Sequence, residues 1–325
     1  MKTVLTIAIV TWNGEKYISE LFESIKSQDL ENVEILVADN GSVDSTQSIC
    51  EAESARFEDF KYFRHARNIG IKNNIEFVIE SSSSDYVWLC ADDDLISVGA
   101  VKKIKDLIKK TPGVILCNFS TIDDKGNLIQ DNVQGWVEDK IFSSERAGHA
   151  YVACNHSYGL ISSIILSKPL WLSLPEEYLV KVKDDFNFLL KIPGIMSKGG
   201  AILVATPLVK FRKYLKKWQT VHSYSETFNI DHLVMLDIFD KLLFAGFDKI
   251  SVNKMILSNL KGFPQSIFLI RKNNNKISLN IWIKFFLAYG LSRNLILGVL
   301  IYLTPYLILV KISKIKYFDK YRVRL

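Results

Sequence analysis

The chain has 325 residues, with 41 Lys+Arg against 35 Asp+Glu and 48% hydrophobic side chains. At roughly 150 residues per domain this suggests two domains, and the apolar content excludes disorder for the bulk of the chain. Four cysteines (Cys50, Cys90, Cys117, Cys154) form no C-x-x-C pair, which argues against a zinc ribbon, a thioredoxin site or a disulfide scaffold and fits a reducing compartment.

The opening Met1–Tyr17 has one Lys before a short apolar run and no small-residue cleavage site before Asn13-Gly14. It reads as a first strand over Val4–Val10 rather than a signal peptide. Tyr17, Ile18, Leu21, Phe22 and Ile25 recur at helical spacing. A second strand, Val33–Ala38, runs into Asp39-Asn40-Gly41-Ser42, and a helix follows with Asp44 or Ser45 as its cap. Phe60–Phe63 is a third strand, and Asn68-Ile69-Gly70 opens a helix through Glu80. Tyr86–Cys90 is a fourth strand leading into Asp92-Asp93-Asp94; Val98–Ile108 is helical and Val114–Phe119 a fifth strand. Asp124-Lys125-Gly126-Asn127 reads as a hairpin turn. The pattern loosens from about residue 130, returns as a strand over Ile202–Phe211, and becomes helical over about 216–310. Strand–helix alternation of this kind predicts a parallel sheet with helices on both faces.

Charge divides the chain. Residues 1–200 carry 21 basic and 29 acidic side chains, and residues 201–325 carry 20 basic and 6 acidic. Such asymmetry points to an anionic partner for the C-terminal part. Leu295–Val310 contains no charge, with Arg293 before it and six Lys or Arg after it. A spanning helix wants ~20 apolar residues, and both basic flanks prefer the cytoplasmic side. We therefore expect interfacial helices or a re-entrant hairpin on anionic lipid, with no nucleic-acid role. A buried core helix with a solvated basic tail is the plainer alternative.

In parallel α/β sheets ligands bind beyond the carboxyl ends of the strands. Thr11, Asn13, Asp39, Asn68 and Asp92–Asp94 all fall at such ends. Three adjacent carboxylates repel one another unless a cation joins them, and hard Mg²⁺ or Mn²⁺ suits carboxylate oxygen. An acidic helix start is the competing explanation. No G-x-G-x-x-G follows the first strand and no G-x-x-x-x-G-K-[ST] occurs, which argues against a dinucleotide enzyme and excludes a P-loop NTPase. A nucleotide site lacking both glycine loops needs metal to neutralise phosphate, which couples Asp39 to Asp92–Asp94.

Thr11-Trp12-Asn13, Val37–Thr46, Asn68-Ile69-Gly70 and Asp85–Leu95, in this order and spacing over residues 1–120, resemble the family 2 glycosyltransferases. Trp88–Leu95 is similar to the bacterial O-antigen sugar transferases of the abequosyltransferase type. The resemblance implies a GT-A fold, an α/β doubly wound mixed sheet, as a catalytic domain over 1–215. Its nucleotide-sugar half would cover 1–120 and its acceptor half 121–215, followed by a helical, basic, membrane-associating region over 216–325. It further implies that Asp39 meets a pyrimidine base beside Thr11, with Asn13, Asn68 and Gly70 around the donor. Asp92 or Asp93 would hold the ribose or sugar, and Asp94, with Asp92, the metal. The family's usual first Asp falls on Ala91 here, so the assignment among the three acids stays open.

The resemblance also implies an inverting reaction, whose acceptor hydroxyl needs a base opposite the leaving group. Lys183-Asp184-Asp185-Phe186 looks like the family's acidic pair before a helix. Asp185 matches the base, and the like charge of Asp184 would raise its pKa; helix capping is the alternative. His156, Arg212 and His222 are weaker acceptor or phosphate candidates, each equally readable as polar surface. Absence of Q-x-x-R-W favours single sugar addition, and no G-x-S-x-G supports a serine nucleophile. The expected enzyme moves one sugar from a nucleotide-diphosphate donor to a polyprenyl-diphosphate-linked glycan of a bacterial surface polysaccharide. It would work at the cytoplasmic face of the inner membrane, as a peripheral or monotopic protein. A sugar-1-phosphate nucleotidyltransferase and a non-catalytic membrane assembly protein of the same fold are the competing readings.

Overall fold

The computed structural model describes residues 3–154, 159–174 and 191–213, together with residue 299. All but the last belong to the first of two compact units into which the chain divides. The N-terminal strands are β1 (Leu5–Thr11), β2 (Val33–Asp39), β3 (Phe60–Arg64) and β4 (Tyr86–Ala91). They pair in parallel in the order β3-β2-β1-β4, with Thr11 level with Asp39 and Val10 with Ala91. This register brings the polar residues after each strand to one edge of the sheet.

Period two along each strand sorts side chains between the faces. Leu5, Ile7 and Ile9 of β1 join Ile35, Val37, Trp88 and Cys90 in the main apolar cluster. α1 (Ile18–Lys26) covers that face with Ile18, Leu21, Phe22 and Ile25, the i, i+3, i+4, i+7 stripe legible in the sequence. α2 (Thr46–Ser54) adds Cys50, and α4 (Ala100–Ile108) adds Val101, Ile104 and Leu107. Each fully buried Leu, Ile or Phe contributes about 1.5–3 kcal/mol by transfer from water, so these helices dock through their stripes rather than their caps. α3 (Ile71–Ser81) packs against β1 and β2 on the opposite face, where the Asn74 side-chain amide donates to the Ala38 carbonyl at 2.9 Å.

Beyond β4 the sheet turns mixed, as the family resemblance implies and strand–helix alternation alone does not. β5 (Leu95–Ile96), β6 (Val114–Ile122) and β10 (Ala201–Arg212) continue it, but β9 (Ile164–Ser167) is inserted antiparallel between β4 and β6. The sheet is therefore mixed. β9 has only three apolar residues beside a serine pair, too short for a periodic signal. β7 (Leu128–Gln130) and β8 (Lys140–Phe142) pair antiparallel with β6 and β10. The turn between β6 and β7 closes where expected, with the Gly126 N–H donating to the Asp123 carbonyl. α5 (Ala147–Ala153), α6 (Lys168–Leu172) and α7 (Lys191–Gly199) complete the described helices.

Two helix starts differ in detail. Ser45 occupies the cap position of α2 without a cap bond, while Asp44 Oδ1 accepts from the Thr46 N–H at 3.1 Å and its hydroxyl at 2.5 Å. α4 begins at Ala100 rather than Val98, because Gly99 turns the chain with φ +76°. Apart from residue 299, the Leu295–Val310 stretch expected at the membrane lies outside the described residues, as do its basic flanks. Among the described residues no helix is long and apolar enough to cross a membrane.

Candidate active site

Asp39 ends β2 with no exposed surface. Its Oδ1 accepts from the Ser42 N–H (2.8 Å) and hydroxyl (2.6 Å), and its Oδ2 accepts from the Tyr62 hydroxyl (2.7 Å) with Arg64 Nε 3.9 Å away. Burial and then the Asp39 carboxylate push the Tyr62 phenol upward, so it stays a donor. Asn13, in the left-handed region at φ 53°, answers from β1: its N–H donates to Ser42 Oγ and its Oδ1 accepts from the Val43 N–H. Asn40 Nδ2 donates to Asn68 Oδ1 at 3.0 Å, and Asn40 Oδ1 accepts from the Ile69 N–H. Asn68 Oδ1 also accepts from the Gly70 N–H. The two loops touch at Gly41, where φ is +75° and a Cβ would fall 2.7 Å from the Arg67 carbonyl carbon. Only glycine meets both demands without strain.

The Asp92–Asp94 turn follows β4. Asp92 is half-buried and its Oδ2 accepts from the Thr11 hydroxyl at 2.5 Å. Gly14 permits that pairing, since a Cβ there would lie 2.5 Å from Thr11 Oγ1 and inside contact distance of Asp92 Oδ2. Asp93 and Asp94 are buried. Asp94 Oδ2 accepts from the Ser162 hydroxyl at 2.6 Å, and its Oδ1 from the Arg212 N–H at 3.0 Å. The turn is thus held from β1, from the segment before β9 and from the end of β10. Its charge reaches beneath the sheet edge: the Cys50 thiol is pushed up to about 12, first by burial and then by the Asp39 and Asp92 carboxylates.

Arg212 is placed differently from the ligand-binding role considered for it. It is wholly buried. Its Nε donates to the Asp93 carbonyl (3.0 Å), its Nη1 to the Asp124 carbonyl (3.0 Å) and its Nη2 to Glu20 Oε2 (2.7 Å). The guanidinium also stacks on Tyr17, 4.4 Å from the ring centroid. That geometry is a structural task. Thr11, Asn13, Asp39, Asn68, Gly70 and Asp92–Asp94 gather at the shared strand edge. Asp184, Asp185, His156 and His222 lie outside the described residues. Ser42, Tyr62 and Ser162, which orient the acids, carry no signal in sequence beyond Ser42's place in the Asp39–Ser42 turn.

Among the described residues no three His, Cys, Asp or Glu side chains are arranged to enclose a metal ion. Mg²⁺ in phosphate-handling sites needs only one or two carboxylates, the remaining ligands being water and substrate phosphate. Two hard carboxylates within one turn, the first of them partly exposed, fit that donor set.

Comparison with known proteins bears on this arrangement. Residues 6–161 match the model of the family described as Glycosyl transferase family 2. Abequosyltransferase RfbV of Salmonella typhimurium is 23% identical over 179 residues, 52% of this chain and 54% of that protein. The chain spans about half the length of the first curated relatives it matches. S. aureus TarS 1-349, solved in complex with UDP, superposes with a TM-score of 0.63 at 18% identity, over 100% of this chain and 93% of that one. The mannosyltransferase PcManGT of Pyrobaculum calidifontis, solved with GDP-Man and Mn2+, superposes with a TM-score of 0.51 at 16% identity, over 98% and 88%. At these identities the superpositions establish the fold, and the family match spans all four strands that build the acidic edge. Residues 6–161 thus resemble a family 2 glycosyltransferase domain, and the chain shares its fold with TarS.

Proposed function

We propose that the protein transfers one sugar, with inversion, from a nucleotide-diphosphate sugar to a glycan acceptor. The observation that carries this reading is the convergence of Asp39, the Asn40–Asn68 loop pair and the Thr11–Asp92 pair on one sheet edge. Asp39, fixed by Ser42 and Tyr62, would accept from the N–H of a pyrimidine base, and Asp93 would lie at the ribose or sugar. Asp92 and the anchored Asp94 would hold Mg²⁺ or Mn²⁺. When bound, such an ion neutralises the charge gathering on the leaving diphosphate. The acceptor oxygen bonds to the anomeric carbon as the bond to the diphosphate oxygen breaks. The hydroxyl proton passes to the Asp185 carboxylate, with Asp184 raising its basicity. The 20 basic against 6 acidic side chains of residues 201–325 favour an anionic lipid surface, and hence a polyprenyl-diphosphate-linked acceptor at the cytoplasmic face of the membrane. Bacterial O-antigen or capsule synthesis is the setting that suits it.

Calorimetry with UDP-, dTDP-, CDP- and GDP-sugars, each with Mn²⁺ or Mg²⁺, tests the donor half. One pyrimidine nucleotide sugar should bind with metal and lose at least tenfold in Asp92→Asn and Asp94→Asn. Asp185→Asn should keep donor binding and lose about 10³-fold in kcat, within the range for removing a general base. If no nucleotide sugar binds with either metal, the donor assignment is wrong.

A further inference from the structure

Arg212 ties the end of β10 to three parts of the chain that are distant in sequence. Its main-chain N–H holds the Asp94 carboxylate and its Nε the Asp93 carbonyl. Its Nη1 holds the β6–β7 turn through the Asp124 carbonyl, and its Nη2 holds α1 through Glu20. Beneath the guanidinium lies Tyr17, whose hydroxyl donates to the Asp124 carboxylate, which also pairs with Lys16 Nζ at 2.9 Å. A guanidinium presents its donors in a rigid planar fork, so a shift at one partner is passed to the others. Its charge sits in the interior but is satisfied at each nitrogen, as a buried cation must be.

We propose that Arg212 is a positioning residue for the cation site: it fixes the path of the Asp93–Asp94 backbone and so the angle at which the Asp92 and Asp94 carboxylates meet a divalent ion. The inference rests on the glycosyltransferase reading above. It assigns Arg212 no contact with donor, acceptor or metal. Asp94 keeps its bond to the residue 212 N–H in any variant, so the side chain acts through the Asp93 carbonyl alone. Glu20 enters as the outer anchor, half-exposed and far in sequence from the acids.

The test uses the full chain, with UDP as probe. Mn²⁺ is titrated against UDP binding by calorimetry, free Mn²⁺ is followed by electron paramagnetic resonance, and Tm is recorded alongside. Arg212→Lys keeps the charge and loses the fork, whereas Glu20→Ala removes the outer anchor from a half-exposed site and carries the test if the lysine variant does not fold. The Mn²⁺ concentration at half-saturation should rise at least fivefold in Arg212→Lys and about threefold in Glu20→Ala, with UDP affinity at saturating Mn²⁺ within twofold of wild type. A lower Tm with unchanged half-saturation in the folded variants would overturn the proposal and leave Arg212 a scaffold residue. Wild-type protein that binds UDP without any metal dependence would remove the cation site, and this inference with it. Metal-dependent wild-type binding with insensitive variants would sink this inference alone.

Discussion

Asp92 and Thr11 lie 81 residues apart in sequence and share a 2.5 Å hydrogen bond. The space for it is Gly14, so Gly14→Ala is expected to force Asp92 from its hydroxyl partner. Because the displaced group is one side-chain end at a partly exposed turn, the cost should fall on function. Donor binding should weaken at least tenfold while Tm drops by only a few degrees, which calorimetry and thermal melting would separate. A large loss of Tm with intact binding would mean that Gly14 serves folding alone. The residue types at this edge were readable from sequence: a carboxylate after each of two strands and an Asn-x-Gly loop mark a ligand edge. Their partners were not. Tyr62 sits mid-strand in β3 and Ser162 in an unpatterned segment, and only through-space proximity makes them orienting groups for Asp39 and Asp94.

At the scale of elements, β2 carries a charge into the sheet. Glu34 has no exposed surface; it accepts from the Thr6 hydroxyl (2.6 Å), the Ser83 N–H (2.9 Å) and Lys61 Nζ (2.5 Å). Burial works to raise its pKa, but Lys61 and these donors outweigh it and hold the carboxyl below its ordinary value of 4.5. A depressed folded-state pKa gives stability that is present above the unfolded value and lost as pH falls through the folded one. Urea midpoints measured from pH 7 to pH 3 should therefore fall more steeply for wild type than for Glu34→Gln, with the two curves converging in acid. Parallel curves would place the acid sensitivity elsewhere. The apolar run of β2 identified the strand, but nothing in it foretold that Glu34 is buried. That follows from Thr6 of β1 and the Ser83–Ser84 loop closing over it.

Across the molecule, the four cysteines occupy four separate elements or their ends, and all are buried thiols outside any disulfide. Burial raises the Cys50, Cys90 and Cys117 thiols, the first to about 12. Since the thiolate is the reactive form, iodoacetamide at pH 7.5 should label none of the four in the folded protein and all four in urea; fast labelling of one native thiol would contradict this packing. The sequence by itself determined the four parallel strands, the helical stripes between them and the acids at the strand ends. These signals are local, set by period two, period 3.6 and turn chemistry within a few residues. Tertiary structure alone decided that β9 enters the sheet antiparallel between β4 and β6, and that Arg212 is buried as an anchor rather than free for a ligand. The reason is physical: a four-residue strand has too few positions to show a period, and a cation's role is set by which carbonyls and carboxylates the fold brings within about 3 Å of it.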